Sequence, residues 1–279
     1  MARAVRTLTD AGIASPRVDA ELLAAHVLGV PRGRLVLADV DHDQRAAYDG
    51  LVARRAAGTP VQHLTGTAPF RYLELSVGPG VFVPRPETEL LVDAGRALLL
   101  DNASPVVVDL CAGSGALGLS VAYEIPGATV HLVECDPAAL AYLRRNAAAV
   151  SGAAHVVDAD VTAPDLLPEL TGTVDLVLAN PPYVPAGTPL PADVAGVDPD
   201  LALYGGADGL AVIRPMIGTI ARLLRPGGGL AVEYDDTHGT AVPALLSADG
   251  RFTDVTAHRD LAGRPRYGTA RRSGKTGTP

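Results

Sequence analysis

VVVDLCAGSGALG, residues 106–118, joins a short apolar run to a glycine-rich turn and then to a second apolar segment. The β-branched residues at 106–110 predict a buried strand, and the glycines allow a sharp turn into a helix over 115–123. Parallel α/β domains bind their ligands at such turns, because the turns lie at the carboxyl ends of the strands. We therefore predict an α/β domain built around this segment.

Helical and strand patterns alternate on both sides of this turn. Helices are predicted near 89–100, 137–149 and 210–224, and strands near 129–134, 155–157, 174–179 and 229–234. Strands that alternate with helices are connected by right-handed crossovers. The pattern indicates a Rossmann-like, doubly wound and mostly parallel sheet.

The first seventy residues have a different pattern. Ser15 and Pro16 followed by a helical apolar repeat predict a helix that ends at Gly29, and a second helix is predicted over 41–57. These residues indicate a small all-helical domain, which is either a packing module or a domain that docks a partner. Residues 73–83 alternate and contain Gly78-Pro79-Gly80, which predicts a β-hairpin linker.

Composition excludes several classes of protein. The chain has 279 residues, a net charge of −8 and 48% hydrophobic residues, so it is expected to fold rather than to be disordered. No apolar run approaches the roughly 18 residues that a membrane span needs, and we expect no membrane association. Two cysteines without zinc spacing predict a cytoplasmic protein with no metal. The acidic balance argues against binding to nucleic acid.

The glycine turn carries the pattern of a nucleoside site. Gly113, Gly115 and Gly118 match G-x-G-x-x-G, and Glu134 follows about twenty residues later at the end of the next predicted strand, where it can accept ribose hydroxyls. The pattern alone does not separate a nicotinamide cofactor from S-adenosylmethionine. Asp109 favours the latter, because a carboxylate suits a cationic amino group and repels a pyrophosphate.

A second motif follows the strand predicted at 174–179. Asn180, Pro181, Pro182 and Tyr183 form a turn in which the two prolines lack N–H groups, so the turn presents oxygen acceptors. The Asn180 side chain and the Pro181 carbonyl can hold the two hydrogens of a planar NH2 group, with Tyr183 packed on its face. This arrangement predicts methyl transfer to an amide or an exocyclic amino nitrogen by positioning alone.

These motifs resemble those of class I methyltransferases, and four further segments are similar to the bacterial release factor glutamine methyltransferases. The segments are PRVDAELL at 16–23, PVQHLTG at 60–66, FVPRPETE at 82–89 and RPR at 264–266. The resemblance covers residues 1 to about 268. It implies a seven-stranded methyltransferase domain that transfers methyl from S-adenosylmethionine, leaving S-adenosylhomocysteine, to the amide nitrogen N5 of the glutamine in the Gly-Gly-Gln motif of peptide chain release factors. Such methylation supports translation termination.

The resemblance also implies the roles of the site residues. The cofactor-binding residues would be Asp109, Cys111, Ala112, Gly113, Ser114, Gly115, Glu134, Asp160, Val161 and Asn180, and the glutamine amide would be held by Asn180, Pro181, Pro182 and Tyr183. Cys111 stands where the family usually has glycine, Glu134 replaces the commoner aspartate, and Val161 replaces an aromatic residue beside adenine. The effect of these departures on cofactor affinity stays open.

The expected organisation is a helical substrate-docking domain at 1–72, a hairpin linker at 73–85, a methyltransferase domain at 86–270 and a disordered tail at 271–279. We expect a monomer. Three alternatives remain open: a nucleic-acid adenine-N6 methyltransferase that uses the same turn, a nicotinamide oxidoreductase, and a non-enzymatic adaptor that docks partners through the first seventy residues.

Overall fold

A computed structural model describes residues 1–37, 39–99, 102–150, 152, 154–190, 194 and 196–274 of the chain. The chain divides into two compact units. The smaller contains Met1–Ala68, Val77–Pro79 and Leu190–Val197, and the larger contains Pro69–Ser76, Gly80–Pro189 and Asp198–Pro279.

The smaller unit is a cluster of helices. They are α1 (Ala2–Asp10), α2 (Pro16–Leu28), a 3-10 turn (Arg32–Leu37), α3 (His42–Ala56) and α4 (Val61–Thr65). Leu8, Leu23 and Val52 from three of these helices share one buried cluster. Burial of such apolar side chains, each contributing about 1.5–3 kcal/mol, holds short helices that would be marginal alone.

The ends of these helices agree with the predicted signals in all but one case. Asp41 caps α3 by accepting a hydrogen bond from the Gln44 backbone, and Gln44 returns one to the Asp41 backbone. Gly29 ends α2 at φ 62°, in the left-handed region that glycine adopts without strain. Ser15 occupies the N-cap position of α2, but its side chain accepts no capping hydrogen bond, and Pro16 at the first helical position lacks one N–H that would need a partner.

A buried ion pair in this unit gives the first prediction. The Arg55 Nε donates to Asp19 Oδ2 at 2.7 Å, and both side chains are 9% exposed. Asp19→Ala is expected to destabilise the unit by about 3–5 kcal/mol, because it leaves a buried guanidinium unpaired. Urea unfolding followed by circular dichroism measures the loss. Asp49→Ala, which removes exposed ion pairs with Arg3 and Arg45, is the control and should change stability little. Equal losses in the two variants would contradict this assignment.

The hairpin lies earlier in the chain than predicted. β1 (Thr67–Phe70) and β2 (Leu73–Ser76) form a two-stranded sheet, and Arg71 makes the turn at φ 51°. The prediction of a hairpin that turns at Gly78-Pro79-Gly80 is therefore wrong. The alternation from Leu73 belongs to the second strand rather than the first, and residues 82–85 lead without strand structure into a 3-10 turn at Pro86–Thr88.

The larger unit is built on a seven-stranded sheet, as predicted. Its strands are β3 (Val106–Leu110), β4 (Thr129–Glu134), β5 (Ala154–Asp158), β6 (Val174–Ala179), β7 (Leu224–Glu233), β8 (Phe252–Arg259) and β9 (Pro265–Arg272). They run in the order β5-β4-β3-β6-β7-β9-β8, and only the pairs that involve β9 are antiparallel. The order reverses beside β3, where open α/β sheets bind ligands.

Helices cover both faces of this sheet. They are α5 (Glu89–Leu99), α6 (Ala116–Glu124), α7 (Pro137–Val150), α8 (Asp200–Leu203), α9 (Ile213–Leu223) and α10 (Ala241–Asp249). Leu119 of α6 and Leu143 of α7 pack with Leu132 on one face, while Met216 of α9 packs with Val177 on the other. The α/β class is thus confirmed in its layers as well as in its strand order.

The end of the chain differs from the prediction of a disordered tail at 271–279. Arg271 and Arg272 belong to β9, where Arg271 pairs with Gly229 and Arg272 pairs with Phe252. Their side chains donate to backbone carbonyls, so the arginines are fixed despite their polarity. Residues 275–279 of the predicted tail lie outside the described residues. Over the described part of the chain, we find no helix with the length and apolarity needed to cross a membrane.

Candidate active site

Three neighbouring strands bring the predicted site residues to one edge of the sheet. Leu110 of β3 pairs with Val133 of β4 on one side and with Ala179 of β6 on the other. The chain continues from these paired ends into the glycine turn, into Glu134 and into Asn180. Parallel strands therefore place the two predicted motifs side by side at the carboxyl edge.

The glycine turn, residues 111–115, has the backbone that its glycines allow. Cys111, Gly113 and Gly115 all have positive φ, at 62°, 55° and 91°. A left-handed residue other than glycine is strained, which explains why glycine suits the Cys111 position. Burial raises the pKa of the Cys111 thiol well above its usual value, so the thiol is neutral. The other cysteine, Cys135, is exposed.

Gly118 sets the distance between α6 and the sheet. A Cβ atom there would lie 2.3 Å from Leu132 Cδ2 and 3.0 Å from Asp109 Cβ, closer than side chains approach one another. The open side of the turn is at Gly113, where a Cβ would meet no atom within 4 Å. The chain therefore packs tightly against the sheet at Gly118 and leaves space for a ligand at Gly113.

Gly118→Ala is expected to destabilise the larger unit by about 1–3 kcal/mol, because the added methyl group has to displace Leu132 or Asp109 in a packed core. Cofactor affinity should fall with it, since Asp109 moves. Thermal unfolding and calorimetric titration measure the two effects. Gly50→Ala in α3, where a Cβ meets nothing within 4 Å, is the control and should stabilise slightly through helix propensity. An unchanged melting temperature for Gly118→Ala would contradict the packing described.

Asp109 is a buried carboxylate, and one of its two oxygens accepts a hydrogen bond from the described part of the protein. It is 1% exposed, and its Oδ2 accepts the Gly118 backbone N–H at 2.8 Å. Its Oδ1 is buried and has no hydrogen-bond partner among the described residues. Burial raises the pKa of Asp109 to about 7. A buried acceptor without a donor is costly, so this oxygen is suited to a donor from a bound ligand.

Glu134 ties the turn to the next strand. Its Oε2 accepts the Gly113 N–H at 2.9 Å, and its Oε1 accepts the N–H groups of Cys135 and Asp136. Three of its roughly four lone-pair positions are thus used within the protein. The ribose role predicted for Glu134 stays a prediction, since two hydroxyls would have to share the carboxylate with these amides.

Asp160 and Val161, which were predicted to lie beside adenine, differ in their surroundings. Asp160 Oδ1 accepts from both the backbone N–H and the hydroxyl of Thr162, at 2.7 Å each. Val161 is buried and packs in the sheet core.

Ser114 of the glycine turn is also buried. Its carbonyl accepts a hydrogen bond from the Asn146 side chain, which contacts Ser76 of β2 as well. Asn146 therefore supports the turn from below.

The turn at 180–183 is fixed by a second glycine-rich segment. Pro181 and Pro182 are buried. A Cβ on Gly205 would lie 2.6 Å from the Pro182 carbonyl oxygen, and one on Gly209 would lie 2.3 Å from the Tyr183 carbonyl oxygen. Only glycine permits this approach of backbone to backbone. The role of residues 205–209 was missed from the sequence, although the clustered glycines after Tyr204 were a visible signal.

A buried polar network, which the sequence did not reveal, orients Asn180. The Asn180 Nδ2 donates to Thr88 Oγ1 at 3.4 Å, and the Thr88 hydroxyl donates to Glu233 Oε2 at 2.8 Å. The Tyr183 hydroxyl donates to the other oxygen of Glu233 at 3.0 Å. Since Asn180 Nδ2 faces Thr88, its side-chain oxygen is left to accept from another group.

Glu233 is the centre of this network. It is 1% exposed, and burial raises its pKa to about 7. Burial also raises the pKa of Tyr183 well above its usual value, so the phenol stays protonated and donates. Tyr183 was predicted to pack on a planar group, and its hydroxyl is tied to Glu233. That packing role stays a prediction.

The fold and this site define a class I methyltransferase. The seven-stranded order, the glycine turn after β3 and the Asn-Pro-Pro-Tyr turn after β6 occur together at one edge. The residues fit S-adenosylmethionine, because Asp109 offers a buried acceptor without a donor and the turn is open at Gly113. The described residues hold no group of three or more side chains placed to bind a metal ion.

The chain belongs to the release factor glutamine methyltransferase family. Residues 1–66 match the PrmC N-terminal domain, and residues 73–190 match the methyltransferase small domain. The chain is 56% identical to the release factor glutamine methyltransferase of Mycolicibacterium smegmatis over 96% of this chain and 95% of that protein. It is 48% identical to that of Streptomyces coelicolor over 98% of this chain and 97% of that protein.

A solved structure agrees in fold. The catalytic domain of hMettl16, solved with an RNA hairpin, is 15% identical and superposes with a TM-score of 0.57 over 82% of this chain and 84% of that one. At this identity the likeness concerns the fold alone.

Proposed function

We propose that this chain transfers the methyl group of S-adenosylmethionine to the side-chain amide nitrogen N5 of the glutamine in the Gly-Gly-Gln motif of peptide chain release factors. The observation that carries the proposal is the Asn180 side chain, which Thr88 holds with its oxygen left to accept. Family membership supports the release factor as the acceptor.

The cofactor is held at the carboxyl edge of the sheet. The residues assigned to it are Asp109, Cys111, Ala112, Gly113, Ser114, Gly115, Glu134, Asp160, Val161 and Asn180. S-adenosylmethionine supplies an electrophilic methyl group on a sulfonium centre. Asp109 would accept from the amino group of the cofactor through its buried Oδ1. Glu134, which accepts from the Gly113 N–H of the turn, would bind the ribose.

The glutamine amide is held by the turn after β6. The nitrogen of an amide is a weak nucleophile, because its lone pair is conjugated with the carbonyl. Asn180 and the Pro181 carbonyl accept its two N–H groups, which fixes the nitrogen and strengthens its lone pair as a donor. Pro182 keeps the turn rigid and Tyr183 packs against the amide, so catalysis is achieved by positioning. When the N5–methyl bond forms, the sulfur keeps the electron pair of the broken S–methyl bond, and N5 loses one proton to solvent.

Glu233 and Thr88 act on the reaction through Asn180 and Tyr183. An ionised Glu233 accepts both hydroxyls, and Thr88 can then accept only from Asn180. A protonated Glu233 donates one bond itself, so one hydroxyl has to turn away. The pKa of Glu233, raised to about 7, places this change near neutral pH.

We expect kcat to fall as the pH is lowered through about 7, because protonated Glu233 releases the Thr88 hydroxyl and loosens Asn180. Glu233→Gln should have a lower kcat and should lose this acidic limb. Initial rates at saturating cofactor measure kcat against pH.

The folded chain holds the Glu233 proton more tightly than the unfolded chain does. The free energy of unfolding that Glu233 contributes therefore declines as the pH rises toward 7.

Thr88→Ser is the matched control for this pH profile, because it keeps the hydroxyl. It should retain the acidic limb of the wild type. A Glu233→Gln profile with the same limb as the wild type would assign that limb to another group.

The remaining expectations extend this function. The smaller, helical unit docks the substrate, and the larger unit carries out methyl transfer. The protein acts as a cytoplasmic monomer and does not bind nucleic acid directly. The family match supports a release factor as the partner of this protein.

Acceptor competition tests the proposal. The purified chain is incubated with radiolabelled S-adenosylmethionine and, in separate reactions, with a bacterial release factor, duplex DNA and ribosomal RNA. Label is expected in the release factor alone. Label in adenine of DNA or RNA, with none in the release factor, would instead support the nucleic-acid methyltransferase. Binding of NAD with no binding of S-adenosylmethionine would support the oxidoreductase.

A further inference from the structure

A cavity of about 580 Å³ lies beside α9 and is lined by three arginines. They are Arg222 at the end of α9, Arg251 between α10 and β8, and Arg272 at the end of β9. Thr162 and Thr219 also line this cavity. A cavity of this size is within the range of small-molecule sites, and its polar side chains converge from separate elements.

The arginine end of this cavity lies away from the candidate active site, whereas Thr162 at its other end bonds Asp160. Along β9, Tyr267 pairs with Glu233 at the carboxyl edge of β7, whereas Arg272 is the last residue of the strand. Five residues of strand separate the two positions by about 16 Å. The arginines are therefore near the opposite edge of the sheet from the Asn180 turn, and the proposed methyl transfer makes no use of them.

Two of the three guanidinium groups have only neutral partners in the described part of the chain. Arg222 donates to the Thr171 hydroxyl at 2.9 Å and to the Leu166 carbonyl at 2.5 Å. Neither of these acceptors carries a charge. The side chain is held in place by these bonds, and its positive charge is left without a carboxylate within ion-pair distance among the described residues.

Arg272 is held in the same way. Its side chain donates only to backbone carbonyls, which belong to Ala221, Arg251 and Ser273 at 2.8 to 3.2 Å. Several bonds of this kind fix the guanidinium in one orientation before any ligand arrives. A fixed donor loses little conformational entropy on binding, which favours an anion that it can reach.

Arg251 alone has an acidic partner. Its Nε and Nη2 donate to the two oxygens of Asp249 at 2.7 Å each. Its Nη2 also lies 4.0 Å from the position that a Cβ on Gly218 would take. The guanidinium therefore lies beside α9 at a residue that has no side chain. Three arginines and one aspartate leave a formal charge of about +2, which equals the charge of a phosphate monoester dianion.

We propose that the cavity lined by Arg222, Arg251 and Arg272 is a binding site for a phosphate group, either free or esterified on a small organic molecule. Phosphate offers three strong acceptor oxygens, and the N–H groups of guanidinium forks match them. The site reaches the cofactor end of the sheet through Thr162, which lines the cavity and bonds Asp160. Phosphate binding is thus placed to influence the segment that leads from Asp160 to Leu166.

Calorimetric titration tests the site on the full chain, with the cofactor position saturated by S-adenosylhomocysteine so that ligands cannot bind there. The probes are inorganic phosphate and ribose 5-phosphate, at constant ionic strength. The wild type is expected to bind one equivalent saturably. Arg222→Gln and Arg251→Gln should each weaken binding by about tenfold, since each removes a charge-assisted donor. Tighter binding of ribose 5-phosphate than of phosphate would identify an esterified ligand, and equal binding would identify free phosphate.

Arg144→Gln is the control variant, because Arg144 is exposed on α7 and pairs with Asp158 away from the cavity. It should bind phosphate as the wild type does. Binding that fails to saturate, or that all three variants retain equally, would overturn the proposal. Melting temperatures without phosphate and affinities for S-adenosylhomocysteine verify that each variant is folded, so a loss of phosphate binding is distinguishable from unfolding.

Discussion

Asn180→Ala is expected to lower methyl transfer to a release factor by more than about tenfold while changing cofactor affinity little. The variant removes the side-chain oxygen that accepts one N–H of the glutamine amide, and an unsatisfied buried donor costs about 1–3 kcal/mol. It also leaves Thr88 without the Asn180 donor, at the end of the network that Glu233 anchors. Single-turnover rates and calorimetric affinities separate the two effects.

Thr88 provides a matched pair of controls for this result. Thr88→Val removes the hydroxyl while keeping the shape, so Asn180 loses its partner and the rate should fall by less than in Asn180→Ala. Thr88→Ser keeps the hydroxyl and should retain most of the rate. An Asn180→Ala enzyme that transfers methyl at the wild-type rate would remove Asn180 from the mechanism. A loss of cofactor binding as large as the loss of rate would show that Asn180 acts mainly on the cofactor rather than on the amide.

Asp109→Asn is expected to weaken S-adenosylmethionine binding by about tenfold or more at pH 8, where the carboxylate is ionised. The cofactor carries a cationic amino group, and a hydrogen bond between charged groups contributes about 1.5–3 kcal/mol. Asparagine can still accept the Gly118 N–H, so the fold of the turn should survive. The variant therefore tests the charge of Asp109 rather than its packing.

The affinity for the cofactor should also depend on pH. The pKa of Asp109 is raised to about 7, so lowering the pH below this value protonates the carboxyl and should weaken wild-type cofactor binding. Asp109→Asn should bind with a weak affinity that changes little over the same range. Asp158→Asn, at the exposed end of β5, is the control. Wild-type affinity in Asp109→Asn at pH 8 would contradict the role given to the buried oxygen.

The central strands could be predicted from the sequence because they are buried on both faces. Val106–Leu110 and Val174–Ala179 are apolar except for one aspartate each, and the structure places them in the middle of the sheet. Strands β8 and β9 were not located, since β8 is largely exposed and both are rich in polar residues. Strands of this composition carry no periodic apolar signal.

The candidate site was predictable where it depends on one strand and the turn after it. Residues 109–115 and 180–183 each lie in one segment, and parallel pairing brings the two segments together. The network of Thr88 and Glu233 joins residues 145 positions apart, so no local pattern indicated it. Glu233 was visible only as an acid at the end of the apolar run Leu230–Val232, beside the strand that ends at Ala179.

The most direct test of the central claim is to map the transferred methyl group. The chain is incubated with isotopically labelled S-adenosylmethionine and an unmethylated bacterial release factor, and the digested release factor is analysed by tandem mass spectrometry. The account predicts one labelled methyl group on the side-chain nitrogen of the glutamine in the Gly-Gly-Gln motif, and none with Asn180→Ala. Label at another residue, or none on that glutamine when the wild-type enzyme binds the cofactor, would contradict it.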